Sequence, residues 1–422
     1  RLLRTILIYL IFPWVSPFLF FHAKLKDGFW QRFGFGRPPN STGRPHVWLH
    51  GASAGDILAL VPTAKTIREL QPHASLTLTA MTGSGFSVAK RHAELFDHVQ
   101  YFPWDLPGSI RRTLDKLKPD VIVFEYAELW PELMHQASLN SIPMILHNGR
   151  FSRERFEGYQ KLFRLTGNLV QQLDKLLVRD ESEKQRAVVL GANPDRVIPT
   201  GNTKFDQFTA SSESSGTQDF FADIHFKNDG SPVLVAGSTH DGEEEILLAC
   251  VLNLRKKFPS LRLILAPRYV ERAAKIRELV VRSGLKVALR TKPDPNWDVL
   301  ILDTVGELSI AYRLSTLVFV GGSINDRGGH NIIEPALCER PVIFGPYMSN
   351  VEDSVQVLLG RGGLQISTPE QLERIIDELL SSPVRAHELG IKAARQARSV
   401  QGASLKNAEL ILETATQRHP PT

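Results

Sequence analysis

The chain has 422 residues, 42% of them hydrophobic, which is enough for two to three ordinary domains with a full core in each. A formal charge of +5 and a pI near 9.1 suit an anionic substrate or an anionic membrane surface. The excess is too small, with no aromatic-basic motif beside it, to indicate nucleic acid, and two cysteines, Cys250 and Cys338, exclude a disulfide framework and a cysteine metal site.

Residues 5–21 run 17 positions without a charge, the short end of what spans a bilayer, with Pro13 and Pro17 as kinks. Lys24, Lys26, Arg32, Arg37 and Arg44 follow and outweigh Arg1 and Arg4, which sets the body of the protein on the cytoplasmic side. With no A-x-A cleavage site, residues 1–23 read as an uncleaved N-terminal anchor; a hydrophobic leader helix packed on the protein is the competing account. A turn-rich stretch at 38–43 leads onward. Strand-like runs at 46–50, 76–80, 121–124, 144–147, 175–178 and 196–200 alternate with helical patterns, predicting βαβ units and a parallel sheet in a first domain over 24–209. Residues 210–230 read as a linker. A second alternating series, at 233–236, 262–266, 286–289, 299–302, 317–320 and 341–344, predicts a second domain over 231–422. The expected fold is α/β, two Rossmann-like domains with parallel sheets facing a cleft between their carboxyl edges, where such folds bind ligands.

Five loops at predicted strand ends carry chemistry. Gly51-Ala52-Ser53-Ala54-Gly55 matches the G-x-S-x-G of a serine-hydrolase elbow, although no HGGG-type oxyanion loop precedes it. Asp56 follows at a helix start, where its carboxylate is either a base for an acceptor hydroxyl or an ordinary acid favoured by the helix dipole. Gly237-Ser238-Thr239-His240, followed by Glu243-Glu244-Glu245, suits a phosphate or polar ligand, with a helix cap as an equally good account of Ser238 or Thr239. Pro267-Arg268 offers a bidentate phosphate partner, and Asp303-Thr304-Val305-Gly306-Glu307-Leu308 ends another strand in the same way. The segment Gly328-Gly329-His330-Asn331-Ile332-Ile333-Glu334-Pro335 puts glycines, an amide and a carboxylate where a helix starts after the strand at 317–320, an anion-binding arrangement. Convergence of these loops predicts a nucleotide site in the second half. No D-x-D pair, H-E-x-x-H, C-x-x-C or P-loop is present, so no metal and no cofactor is expected.

These residues resemble the lipid A Kdo transferases, membrane-anchored glycosyltransferases that move 3-deoxy-D-manno-octulosonic acid (Kdo) from CMP-Kdo onto a lipid A precursor. The likeness runs from the anchor to about residue 360. It rests on Gly237–His240 with its glutamates, Asp303–Glu307, Gly321-Gly322-Ser323, and Arg327 through Asn331 to Glu334-Pro335. Glu128-Leu129-Trp130-Pro131, Asn148-Gly149-Arg150 with Ser152, and Thr200-Gly201-Asn202 with Lys204-Phe205-Asp206 are also alike. The resemblance implies the two-domain GT-B arrangement, an inner-membrane protein on the cytoplasmic face, and inverting, metal-independent transfer with CMP-Kdo as substrate. It places CMP-Kdo on Arg268, Gly306, Glu307, Asn331 and Glu334 beside the Ser238-Thr239 turn, and the acceptor near Glu128 and Arg150. Asp56 falls at the position of the catalytic base, where the family usually has glutamate. Tyr126 and Tyr269 replace a usual glutamate and a usual histidine. An impaired homologue that binds nucleotide sugar or lipid without turnover is the alternative, and a serine hydrolase acting through Ser53 a further one.

Overall fold

A run such as 121–124, Val-Ile-Val-Phe, has no polar face to offer water, so it fits only a strand covered on both sides. The computed structural model describes residues 27–37, 43–151, 156–207, 220–226 and 229–417, and in it these runs are the inner strands of two parallel sheets. The apolar stretch at 5–21 and the first part of the expected linker lie outside the described residues. Among those described, no helix is long and apolar enough to cross a membrane.

The chain divides into two units, the first built from residues up to Gln207 together with those from Gln401, the second from the chain between, ending at Val400. In the first, β1 (His46–Gly51), β2 (Ser75–Ala80), β3 (His98–Tyr101), β4 (Val121–Glu125), β5 (Met144–Gly149), β6 (Lys175–Val178) and β7 (Val197–Pro199) lie in the order β3-β2-β1-β4-β5-β6-β7. The paired strands are all parallel. Their connections contain α1 (Ala54–Leu70), α2 (Gly83–Arg91), α3 (Pro107–Leu117), α4 (Pro131–Leu139), α5 (Phe156–Thr166) and α6 (Glu181–Val189). Strand periodicity divides the core into two layers: Val47 and Leu49 pack with Ile57 and Leu60 of α1, while Trp48 between them joins Phe102, Phe124 and Phe151.

The second unit repeats the plan. It has β8 (Val233–Thr239), α7 (Glu243–Leu254), β9 (Arg262–Pro267), α8 (Ala273–Arg282), β10 (Val287–Leu289), β11 (Val299–Ile301) and α9 (Leu308–Leu314). β12 (Leu317–Val320), α10 (Ile333–Leu337), β13 (Val342–Phe344), α11 (Glu352–Leu358), β14 (Gly363–Gln365), α12 (Pro369–Ser381) and α13 (Pro383–Ser399) complete it. The order is β10-β11-β9-β8-β12-β13-β14, again parallel throughout.

The expected second domain, 231–422, needs one correction. The last helix, α14 (Ala403–Gln417), belongs to the first unit: Ala408, Ile411 and Ala415 lie in its core with Val47, Leu49 and Ile57. Asp206 fixes the return by accepting from the N–H of Gly402 at 2.7 Å and of Ser404 at 2.6 Å, a side-chain cap on the first turn of α14.

In each sheet the first strand is central and the order reverses beside it, at β1/β4 and at β8/β12. Loops leaving two such strands head in opposite directions and open a crevice at the carboxyl edge. At the second of these points Gly237 is needed for space: a Cβ there would come within 2.1 Å of the Tyr312 hydroxyl, which is fully buried. Gly237→Ala should therefore cost about 1–3 kcal/mol, measured by denaturant unfolding, and Tyr312→Phe in the same chain should restore part of it.

Candidate active site

In the first unit, residue 52 leaves β1 and Ser53 starts α1 in ordinary extended backbone, φ −112° and ψ 173°. A nucleophile elbow needs a strained turn at its serine. Ser53 has none, and among the described residues no histidine is hydrogen-bonded to it, so the hydrolase reading is set aside. Asp56 lies in the first turn, half-buried, with Oδ2 accepting from the Ser53 N–H at 2.7 Å. One carboxylate oxygen is thus fixed in orientation by the backbone.

At the end of β4 the chain turns through Tyr126, which takes a positive φ of 54°. Burial, then the neighbouring Glu125, pushes its phenol well above the usual value, and Arg179, Asp56 and Arg150 are the other charges it senses. The Lys204 ammonium stands 5.4 Å over the same ring. The sheet edge thus gathers Asp56, Tyr126, Arg150, Arg179 and Lys204. Glu128 sits in the same β4–α4 loop with Oε2 3.9 Å from His50 Nε2.

A buried polar network underlies that edge. His147 Nδ1 is 2.5 Å from Glu125 Oε2 and its Nε2 is 2.9 Å from Thr63 Oγ1, all three residues being fully buried. Asn148 Nδ2 donates to Glu125 Oε1 at 2.8 Å and to Thr203 Oγ1 at 2.6 Å, and its Oδ1 accepts from the Thr203 N–H at 3.1 Å. Thr203 in turn donates to the Ala59 carbonyl at 2.7 Å. These bonds tie the end of β5, which leads into Arg150, to the turn that presents Lys204 and to α1, which presents Asp56.

In the second unit, β8 bulges at Ser238, which takes a positive φ of 56°. Neither Ser238 nor Thr239 caps a helix: the N-cap of α7 is Gly242. Thr239 is fully buried with Oγ1 lacking a hydrogen-bond partner, and its carbonyl accepts from the Arg268 N–H at 3.0 Å. Glu243 joins the two diverging loops. Its carboxylate accepts from the N–H of His240 at 2.9 Å, Gly322 at 2.8 Å, and Ser323 and Ile324 at 3.0 Å each. Across the same gap His240 and His330 stack with rings 3° from parallel and Nε2 atoms 3.0 Å apart, so one must donate and the other accept.

Gly328 and Gly329 have φ of 83° and 71°, as a left-handed turn requires. The helix they lead into, α10, has five residues, so its dipole is small and anion contacts there must rely on side chains and single N–H groups. Asn331 Oδ1 accepts from the Ile333 N–H at 2.9 Å, leaving Nδ2 buried without a partner, and Glu334 is half-buried in the first turn. Arg268 lies close enough to His330 to depress its pKa. Glu307 accepts from Arg290 Nε at 2.9 Å and from the Thr304 hydroxyl, with Gly306 at φ 95° beside it. Sequence reasoning named the strand-end residues here but missed Glu243, His240 and His330 as one cluster; the glutamates after the motif were the available signal.

Burial lowers the His330 imidazole to about 4, with smaller effects from His240 and Arg268, and lowers His50, stacked on Phe102, to about 3. Both are neutral in the fold and titrate near 6.5 when unfolded. The unfolded chain therefore binds more protons between these values, and stability, complete above 6.5, falls as pH drops toward 4. The thermal midpoint should be flat from pH 8 to 7 and decline below 6.5, and calorimetry of His330→Gln should show a shallower decline than wild type.

Solved structures share this two-unit plan. The UDP-GlcNAc 2-epimerase of Neisseria meningitidis, bound to UDP-GlcNAc, aligns with a TM-score of 0.60 at 13% identity over 88% of this chain and 100% of that one, a likeness of fold alone. The architecture is that of a GT-B-like protein with two Rossmann-like units. Residues 27–207 match the family described as 3-deoxy-D-manno-octulosonic-acid transferase (kdotransferase). A 3-deoxy-D-manno-octulosonic acid transferase of Haemophilus influenzae is 32% identical over 367 residues, 85% of each chain, and one of Chlamydophila psittaci is 29% identical over 368, 86% of this chain and 84% of that one. The chain belongs to the 3-deoxy-D-manno-octulosonic acid transferase family, and with it to the glycosyltransferases.

Proposed function

We propose that the protein transfers Kdo from CMP-Kdo to a lipid A precursor, with inversion and without a metal ion, at the cytoplasmic face of the inner membrane to which residues 1–23 anchor it. The observation that carries this reading is a transferase relative matched over 85% of both chains, in a chain whose carboxyl sheet edges hold a fixed carboxylate in one unit and phosphate-compatible loops in the other. Asp56 keeps one oxygen on the Ser53 N–H and takes the proton of the acceptor hydroxyl. The hydroxyl oxygen bonds to the anomeric carbon as the bond to the CMP phosphate breaks, and that electron pair leaves with CMP. Arg268 and Asn331 Nδ2 stabilise the departing phosphate, with Glu334, Gly306 and Glu307 on the nucleoside and sugar. Arg150, Arg179 and Lys204 meet acceptor phosphates, and the phenol of Tyr126, kept neutral, lies among them.

Incubating detergent-solubilised protein with CMP-Kdo and a lipid A precursor tests the reading, since absence of a Kdo-bearing lipid would refute it. Arg268→Ala and Glu334→Ala should each weaken CMP binding at least tenfold by calorimetric titration, about 1.4 kcal/mol or more. Treatment with EDTA followed by gel filtration should leave the transfer rate unchanged; a loss restored by Mg²⁺ would overturn the metal-independent mechanism.

A further inference from the structure

His50, one residue before the end of β1, is a polar side chain at the first sheet edge that the proposed mechanism leaves unused. It is fully buried, with its ring stacked on Phe102 at 3.8 Å between centroids and met edge-on by Trp130 at 6.0 Å. Two aromatic walls thus fix the plane of the imidazole, and burial keeps it neutral, so it carries one ring proton. Nδ1 faces β2, 3.0 Å from the Thr79 hydroxyl and 3.2 Å from the Thr79 carbonyl. Nε2 faces away from β2, shut off from solvent and without a hydrogen-bond partner, and the Glu128 carboxylate stands 3.9 Å from it.

Which nitrogen holds the proton follows from the Thr79 hydroxyl. The Trp48 indole can only donate, and its Nε1–H does so to that hydroxyl oxygen at 2.9 Å. The hydroxyl keeps a proton of its own, and the acceptors in its reach are His50 Nδ1 at 3.0 Å and the Leu49 carbonyl at 3.4 Å. Donating to Nδ1 makes the shorter bond and leaves the ring proton on Nε2, aimed at Glu128. The other tautomer, with Nδ1–H donating to Thr79, sets a buried Nε2 lone pair against the Glu128 carboxylate, two acceptors with no proton between them. We infer that Trp48, Thr79 and His50 form a one-way chain of donors ending on Glu128, and that His50 is the positioning residue that orients the Glu128 carboxylate for the acceptor. A shift of about 1 Å in the Glu128 side chain closes the last link, from 3.9 Å to ordinary hydrogen-bond length. One carboxylate oxygen is then held by an imidazole locked in the core, the other is left for the acceptor, and each donor polarises the next. The part played by Glu128 rests on the acceptor side of the proposed function; the course of the chain does not.

Nitrogen NMR of the full-length detergent-solubilised protein, labelled at histidine and assigned with His50→Gln, tests the chain. Nε2 of His50 should carry the proton, and its N–H resonance should move in Glu128→Ala; a proton on Nδ1, or a resonance unmoved by Glu128→Ala, would overturn the inference. Kinetics test the role. His50→Phe keeps the stacking and removes both nitrogens, so KM for the lipid acceptor should rise about tenfold with KM for CMP-Kdo unchanged. His50→Gln, whose amide can still donate toward Glu128, should recover most of that loss. In a Glu128→Ala background His50→Phe should add nothing, because the bond it breaks is already gone. Additive losses in that cycle, or equal losses toward both substrates, would overturn the positioning role. If His50→Phe does not fold, the spectra of wild type and Glu128→Ala decide alone. A wild type without transfer activity would refute the proposed function and leave those spectra as the test of the chain.

Discussion

Asp56→Ala should lower the transfer rate by about 10²–10⁴, the range for losing a positioned general base. The same residue also serves the fold, since Oδ2 accepts from the Ser53 N–H at 2.7 Å, so alanine should cost in addition about 1 kcal/mol of stability. Asp56→Asn separates the two roles. Its amide oxygen can still accept from Ser53, so stability should be nearly retained, while the base is gone and the rate should fall as far as in alanine. A full-rate asparagine variant would remove Asp56 from the mechanism. Asp56→Glu reaches one methylene further, and near-attack geometry is sensitive to about 1 Å, so its rate reports how well the shorter carboxylate is placed. Product from the glutamate variant and none from wild type would identify an impaired homologue. In that case the capping contact would be the surviving role of Asp56.

Glu243→Ala should be the most destabilising single change at the second site. The residue is fully buried and four backbone N–H groups converge on its carboxylate at 2.8–3.0 Å. Removing it leaves four N–H donors without that acceptor, two of them, Gly322 and Ser323, buried, a loss of about 4 kcal/mol, equivalent to about 10 °C in the midpoint of a domain this size. Three of those donors, Gly322, Ser323 and Ile324, set the course of the loop that leads to Gly328 and Asn331. CMP affinity should therefore fall with stability, measured by calorimetric titration at a temperature where the variant is folded. Glu243→Gln keeps one accepting oxygen but turns an NH₂ toward N–H donors, and should fall between the two. An alanine variant that melts like wild type would sink the account of Glu243 as the tie between the loops.

How far the sequence could be read varied with the physics of each segment. Central strands such as β1, β4 and β12 are continuous apolar runs because helices cover both their faces, and their positions were legible almost to the residue. The short strands β3, His-Val-Gln-Tyr, and β14, Gly-Leu-Gln, lie at sheet edges where one side is less enclosed, and their mixed composition gave no strand signal. Among the site residues, those at strand ends could be named from the strand-end rule alone. Others could not, because identical letters have different surroundings. In Glu243-Glu244-Glu245 the first binds four N–H groups, the second pairs with Arg272 Nη1 at 2.7 Å and Nη2 at 3.0 Å, and the third faces solvent. Arg179 at the end of β6 obeyed the same strand-end rule as Arg268, yet had no glycine-rich motif beside it to mark it.

The return of α14 to the first unit bears on how the chain is made. A ribosome releases residues 46–199, with every strand of the first sheet, long before it reaches Ala403. At roughly 5–20 residues per second the whole second unit, residues 208–400, takes roughly 10–40 s to appear in between. Through that interval Val47, Leu49 and Ile57 lack the cover of Ala408, Ile411 and Ala415, and the Asp206 carboxylate lacks the helix it caps. The nascent protein therefore carries an exposed apolar seam until residues 403–417 close it, and a message truncated after residue 400 would damage the first unit while leaving the second whole.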